Sequence, residues 1–198
     1  MNNPSPYGNE GCGYMDGEYL PMSEMRIPVT DLGFQLSDMC YDALHIHKGR
    51  YFRMNDHLDR FERAIEERRY ETLETDRDGF TNILHECASK SGLRNAMVTI
   101  VATRGIPISG HKDLRSCQNR LMVWVVPYYS VVTEEESLTG CDIVVANTLR
   151  IPPEAVDPTI KNYGRLDFVR SLFEAYDRKA NYAVLLDSEG NVTEGRGW

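Results

Sequence analysis

Lys161 lies in the stretch RIPPEAVDPTIKNYGRLDFVRSLFEAYDR, residues 150–178, three positions after Pro158 and downstream of Pro152 and Pro153. Each proline fixes φ at about −65° and removes a backbone donor, so the approach to the lysine is expected to be stiff and irregular. Leu166, Val169, Phe173 and Tyr176 then recur at helical spacing, with Arg165, Asp167, Arg170, Glu174 and Asp177 on the other face, which predicts an amphipathic helix. A lysine held between a rigid loop and a packed helix is placed to be partly desolvated. Desolvation favours the neutral amine, the form that acts as nucleophile and base. On spacing alone the pattern also fits a solvated loop lysine. The chain has only five lysines, Lys48, Lys90, Lys112, Lys161 and Lys179, so the candidates for a functional amine are few.

Other residues have chemistry within reach. His57 and Arg60 are i, i+3 neighbours if their segment is helical, so both can face one pocket. Arg104 and Arg115 bracket a long Gly- and Pro-containing loop, where a mobile arginine could bind a carboxylate or simply be disordered. Tyr41 reads equally as a pocket-lining or a core aromatic. Glu194 follows the polar run from Ser188, where a surface glutamate at a turn is the plain reading.

The elements that must position these groups follow from the patterning. Leu44 and Ile46 before Lys48-Gly49, and Tyr51 and Phe52 after it, predict a β-hairpin. Asn55 or Asp56 is the expected N-cap of a helix that buries Leu58, Phe61 and Ile65 and runs to Arg69. A second helix, Asp78 to Ser91, is set by Phe80, Ile83, Leu84 and Cys87 and ends at Gly92. Strands are predicted over Met97–Thr103, Arg120–Val126, Asp142–Leu149 (buried) and Tyr182–Leu186, with a turn over Ser188–Asn191. Residues 1–24, rich in Asn, Gly, Pro and Glu, are expected to be mobile, and the polar residues 129–138 to be an interdomain linker.

Composition bounds the rest. At 198 residues, 41% of them hydrophobic, the chain has room for one large or two small domains. A net charge of −8, with no basic stripe carrying interleaved aromatics, argues against a nucleic-acid partner. The longest apolar run, Leu121–Val126, is far short of a membrane span, and the first twenty residues do not pattern as a secretory signal. Cys12, Cys40, Cys87, Cys117 and Cys141 are scattered, without a C-x-x-C pair, and read as reduced thiols of a cytoplasmic protein. The histidines show no metal-ligand spacing.

Two separated motifs, Lys161-Asn162 and Val192-Thr193-Glu194-Gly195, lie in the stretch VDPTIKNYGRLDFVRSLFEAYDRKANYAVLLDSEGNVTEGRG. Together they resemble the signature of the class IV pyridoxal-phosphate aminotransferases, a family that includes the branched-chain and D-amino acid aminotransferases, aminodeoxychorismate lyase and the (R)-selective amine transaminases. The resemblance runs from about Pro28 to Trp198. It implies a two-domain α+β / α/β fold of type IV, pyridoxal 5′-phosphate as cofactor, and a homodimer acting on a small amine or amino acid and a keto acid. It implies that Lys161 forms the Schiff base with the cofactor and moves the proton during transfer. Glu194 would face the pyridine nitrogen. Arg60, in the H-x-x-R pattern His57-Leu-Asp-Arg60, would bind the cofactor phosphate, for which a guanidinium fork is suited.

Ser37-Asp38-Met-Cys-Tyr41-Asp42 resembles the (R)-selective amine transaminases more than the branched-chain enzymes; Tyr41 then lines the substrate pocket or stays a core aromatic, and from the long loop Arg115 binds a substrate carboxylate or lies in a disordered segment. The implied reaction is transfer of an amino group from an (R)-amine or a branched-chain or D-amino acid to a keto acid. A lyase of the aminodeoxychorismate type and a catalytically inactive relative are the alternatives. On this reading residues 1–128 are the small N-terminal domain and 139–198 the start of the cofactor domain. The chain stops four residues past Glu194, so the second domain is expected to be incomplete and a protein ending there to lack transaminase activity.

Overall fold

Period-two alternation builds the first sheet of this computed structural model, which describes residues 10–73, 75–108 and 113–197. Along β3 (Met39–His47), Cys40, Asp42, Leu44 and Ile46 point inward while the residues between them are half-buried. Its neighbours are β1 (Cys12–Met15), β2 (Glu18–Leu20), β4 (Arg50–Tyr51), β5 (Ala96–Pro107) and β6 (Cys117–Pro127). Among the described residues these six form an antiparallel sheet in the order β2-β1-β6-β5-β3-β4. The β3–β4 turn falls at Lys48-Gly49 as the sequence predicts. Both residues are left-handed, with φ of 52° and 80°, the combination that matches the twist of a tight hairpin. A bulge between Thr103 and Ile106 depends on Gly105, where an added Cβ would lie 1.6 Å from the Gln118 carbonyl oxygen.

Three helices belong with this sheet: α1 (Leu32–Leu36), α2 (Met54–Glu67) and α3 (Arg77–Ser91). Leu58, Phe61 and Ala64 of α2 and Phe80, Ile83, Leu84 and Cys87 of α3 share one core with Leu44, Ile46, Val98, Ile100, Val123 and Val125 of the sheet. Each large side chain so buried contributes about 1.5–3 kcal/mol. Helix α3 ends at Gly92 in the left-handed conformation, as read from sequence. Helix α2 does not use Asn55 or Asp56 as its cap. It begins at Met54 behind a left-handed Arg53 with no side-chain cap, and Asp56 pairs with Arg53 instead.

The N-terminal segment departs from expectation. Residues 12–24 carry β1, β2 and a short 3-10 helix, and Cys12 and Met15 are buried because β1 lies beside the apolar β6. Residues 1–9, also expected to be mobile, lie outside the described residues.

The chain divides into two units. The first runs to Tyr129 and takes in Ile160–Tyr163; the second comprises Ser130–Thr159 and the residues from Gly164 onward. The second contains α4 (Glu134–Thr139), β7 (Ile143–Val145), α5 (Leu166–Asp177), β8 (Tyr182–Leu186) and β9 (Val192–Gly195). Its three strands run in the order β7-β8-β9, with β7 parallel and β9 antiparallel to β8. Residues 134–138, expected as linker, are helical here. Thr133 and Glu136 close a capping box that satisfies the first-turn donors of α4. The strand expected over Asp142–Leu149 is only the three residues of β7, and Ile143 and Val145 are exposed.

Helix α5 forms where the periodicity predicts, but with the opposite face inward. Leu166, Val169, Phe173 and Tyr176 are exposed, while Phe168, Ser171, Leu172 and Ala175 are buried. The helix has two apolar stripes, and spacing does not choose between them. Buried Asp167 decides: its carboxylate accepts from Arg150 Nη1 at 2.6 Å and from the Ile151 N–H at 3.2 Å, which fixes the rotation of the helix.

Candidate functional site

The prolines at 152, 153 and 158 leave the chain irregular up to Ile160, where it reaches the first unit and lies along the edge of β3. The Tyr41 N–H donates to the Lys161 carbonyl at 2.9 Å, and Cys40 and Asn162 form an antiparallel bridge. Alternation then sorts the side chains. Ile160 joins the helix-side core, and Asn162 is buried with its Nδ2 donating to the Ile160 carbonyl at 2.8 Å. Lys161 goes to the other face and is half-buried, with Nζ 4.8 Å from the centre of the Tyr41 ring. Tyr163 packs against the same ring, centroids 4.5 Å apart. The amine is thus held against an aromatic wall, with a cation–π attraction of about 0.5–2 kcal/mol when charged. The structure brings Lys161 and Tyr41 together, and no solvated loop lysine is found at this position.

Arg60 stands on α2, and its guanidinium is already engaged. Nε and Nη2 donate to the two oxygens of Asp42 at 2.6 and 2.8 Å, and the Arg60 side chain stays 42% exposed. Asp42 Oδ1 also meets His57 Nδ1 at 2.8 Å, so His57 has a polar partner beyond packing. Burial alone would raise the Asp42 carboxyl, but the bonds from His57 and Arg60 outweigh it and hold the group below its ordinary value. The same bond to Asp42 raises Arg60.

Glu194 lies on β9 in the second unit. Its Oε1 accepts from Arg150 Nε at 2.9 Å, and Arg150 also reaches Asp167 and covers the Phe168 ring. Burial opposes the Arg150 charge, but hydrogen bonds to Glu194 and Asp167 prevail and raise its pKa.

The loop arginines separate. Arg115 is 88% exposed and folds back on Asp113, at 2.9 and 2.8 Å. Arg104 is not in a loop at all: it is buried on β5, bonded to Asp38 at 2.6 Å and to the carbonyls of Arg68 and Arg69. Pinning the chain after α2 to the sheet uses its donors, so it is a structural clamp. Residues 109–112 of the same loop lie outside the described residues. Cys40, next to Tyr41, is fully buried and its thiol is pushed up to about 12, which removes it as a nucleophile.

Sequence reasoning missed Asp42 and Arg150. Asp42 left a signal, a carboxylate in the inward register between Cys40 and Leu44. Arg150, before Ile-Pro-Pro, left none.

The amino-transferase class IV family matches residues 39–198. A branched-chain-amino-acid aminotransferase-like protein of Arabidopsis thaliana is 23% identical over 96% of this chain and 34% of its own length. A D-alanine aminotransferase of Staphylococcus haemolyticus is 24% identical over 50% of this chain and 34% of its own. Among solved structures, the branched-chain amino acid aminotransferase of Thermobaculum terrenum, in its PLP form, superposes with a TM-score of 0.78 at 17% identity, over 96% of this chain and 62% of that one. The chain therefore spans less than two thirds of these proteins, and the structural likeness is one of fold.

Proposed function

Because the chain belongs to the amino-transferase class IV family, whose cofactor is pyridoxal 5′-phosphate, we propose that it carries the amine-transfer site of an aminotransferase. Its substrates are an amine or amino acid, branched-chain, D-configured or an (R)-amine, and a keto acid. The side chains present fit the cofactor by chemistry: a primary amine for the aldehyde carbon, a guanidinium for the phosphate and a carboxylate for the ring nitrogen. The observation that carries the reading is Lys161 on the edge of β3, its carbonyl bonded to Tyr41 and its Nζ against the Tyr41 ring.

When bound, pyridoxal phosphate supplies an electron sink that lets a proton leave the amine-bearing carbon. Lys161 Nζ would hold the cofactor at its aldehyde carbon and, as a neutral amine, would take up and return the proton of the substrate's amine-bearing carbon. Tyr41 and Tyr163 hold the lysine on one side and shield it from water. Arg60 would hold the phosphate. Glu194, held in place by its bond from Arg150 Nε, would face the ring nitrogen. The amino group passes to the keto acid, which is reduced to an amine as the donor is oxidised to a carbonyl compound.

The test is borohydride trapping with pyridoxal phosphate followed by peptide mass spectrometry, then a panel of amino donors with a keto-acid acceptor. The reading predicts a cofactor adduct on Lys161 that Lys161→Ala abolishes. An adduct elsewhere, persisting in that variant, overturns the assignment.

A further inference from the structure

Asp42 is fully buried in the inward register of β3, where an ionised carboxylate is very costly unless every lone pair finds a donor. It finds four: the Ala43 N–H at 2.8 Å, His57 Nδ1 at 2.8 Å, and Arg60 Nε at 2.6 Å and Nη2 at 2.8 Å. An ionised carboxylate only accepts, so His57 Nδ1 is the donor in this pair. The guanidinium is planar, and two parallel bonds along one edge fix the direction of the opposite edge. Asp42 has no exposure and the Arg60 side chain 42%, and Nη1 is the guanidinium nitrogen that Asp42 does not engage. The Nε–Nη2 fork of the H-x-x-R arginine is occupied by Asp42, which leaves Nη1 for any other acceptor.

We propose that Asp42 is a positioning residue for phosphate capture: it grips Arg60 by one edge, with His57 bracing the carboxylate, so that the Nη1 edge is preset for the phosphate monoester of the cofactor. This rests on the aminotransferase reading and deepens it. The carboxylate cancels most of the guanidinium charge, so the contact selects by direction and discriminates against poorly placed anions. Reorienting Arg60 would break two charge-assisted bonds at once, and the edge is held before the ligand arrives.

The experiment uses pyridoxine 5′-phosphate and pyridoxine, which lack the aldehyde that Lys161 would engage, and measures both affinities by calorimetry. The ratio of the two reads the hold on the phosphate and cancels changes common to both ligands. Asp42→Asn is expected to lower the phosphate preference about tenfold or more, the scale of one misaligned charge-assisted hydrogen bond, and Asp42→Glu to retain most of it. Arg60→Lys, which keeps the charge and loses the fork, is expected to match Asp42→Asn and serves in its place if that variant does not fold. Equal weakening of both ligands in Asp42→Asn, or an unchanged ratio in Arg60→Lys, overturns the proposal. Failure to trap a cofactor adduct on Lys161 is a separate result that strikes only the lysine assignment.

Discussion

Arg150 Nε donates to Glu194 Oε1 at 2.9 Å, and the opposite end of the same guanidinium holds Asp167 Oδ2 at 2.6 Å. One arginine side chain, 11% exposed, thereby ties β9 to the first turn of α5 and lies over Phe168. Asp167 is 4% exposed and Glu194 40%, so the arginine is anchored from its buried side and steadies the more open carboxylate.

Replacing Arg150 with methionine keeps much of the stacking area and removes both ion pairs. Asp167 is then left buried without its cationic partner, a defect that costs about 3–5 kcal/mol when a buried pair is broken. The expected outcome is a clear fall in thermal stability. Asp167→Asn in the same background should restore part of it, because the uncompensated charge is gone. A methionine variant as stable as the parent in denaturant titration would remove Arg150 from this role.

Arg60→Ala should destabilise the fold as well as weaken phosphate binding, since Asp42 keeps His57 and one N–H but loses both guanidinium bonds. Arg60 is partly solvated, so the expected loss is about 1–3 kcal/mol. Chemical denaturation checks it, and no loss would mean that water replaces the fork without penalty.

Acid should act through Asp42. Its carboxyl lies below the ordinary value of 3.8 in the folded chain, so the unfolded chain binds the proton more readily. The stabilisation is therefore present above about pH 4 and is lost as pH falls through the lower, folded value. Asp42→Asn should flatten stability against pH in that acid range while leaving the slope near neutrality alone. An unchanged acid limb would show that other carboxylates carry it.

The rotation of α5 gives a stability contrast between adjacent residues. Leu172→Ala removes a side chain that is 8% exposed and should cost about 2–5 kcal/mol. Phe173→Ala removes one that is 64% exposed and should stay within about 0.5 kcal/mol. Reversed effects in paired melts would put the other stripe inward.

What the sequence alone determined is what local rules encode. Lys48-Gly49 reads as a turn because Gly49 takes left-handed φ at no steric cost and apolar runs flank the pair. Phe80, Ile83, Leu84 and Cys87 read as one buried face because a single apolar stripe leaves the helix no choice. Lys161-Asn162 and Glu194 were legible as a pair of motifs, and with them the family. The tertiary structure alone decided matters that depend on partners distant in the chain. Helix α5 carries two apolar stripes, and the pairing of Asp167 with Arg150, seventeen residues earlier, selects between them. Residues 12–15 look like a mobile lead-in until β6, about a hundred residues later, offers them an edge. The Asp42–Arg60 fork joins a strand and a helix. The inward register of β3 marks Asp42 as a buried carboxylate, but nothing local names its partner, because the energy of a buried ion pair depends on geometry across the fold.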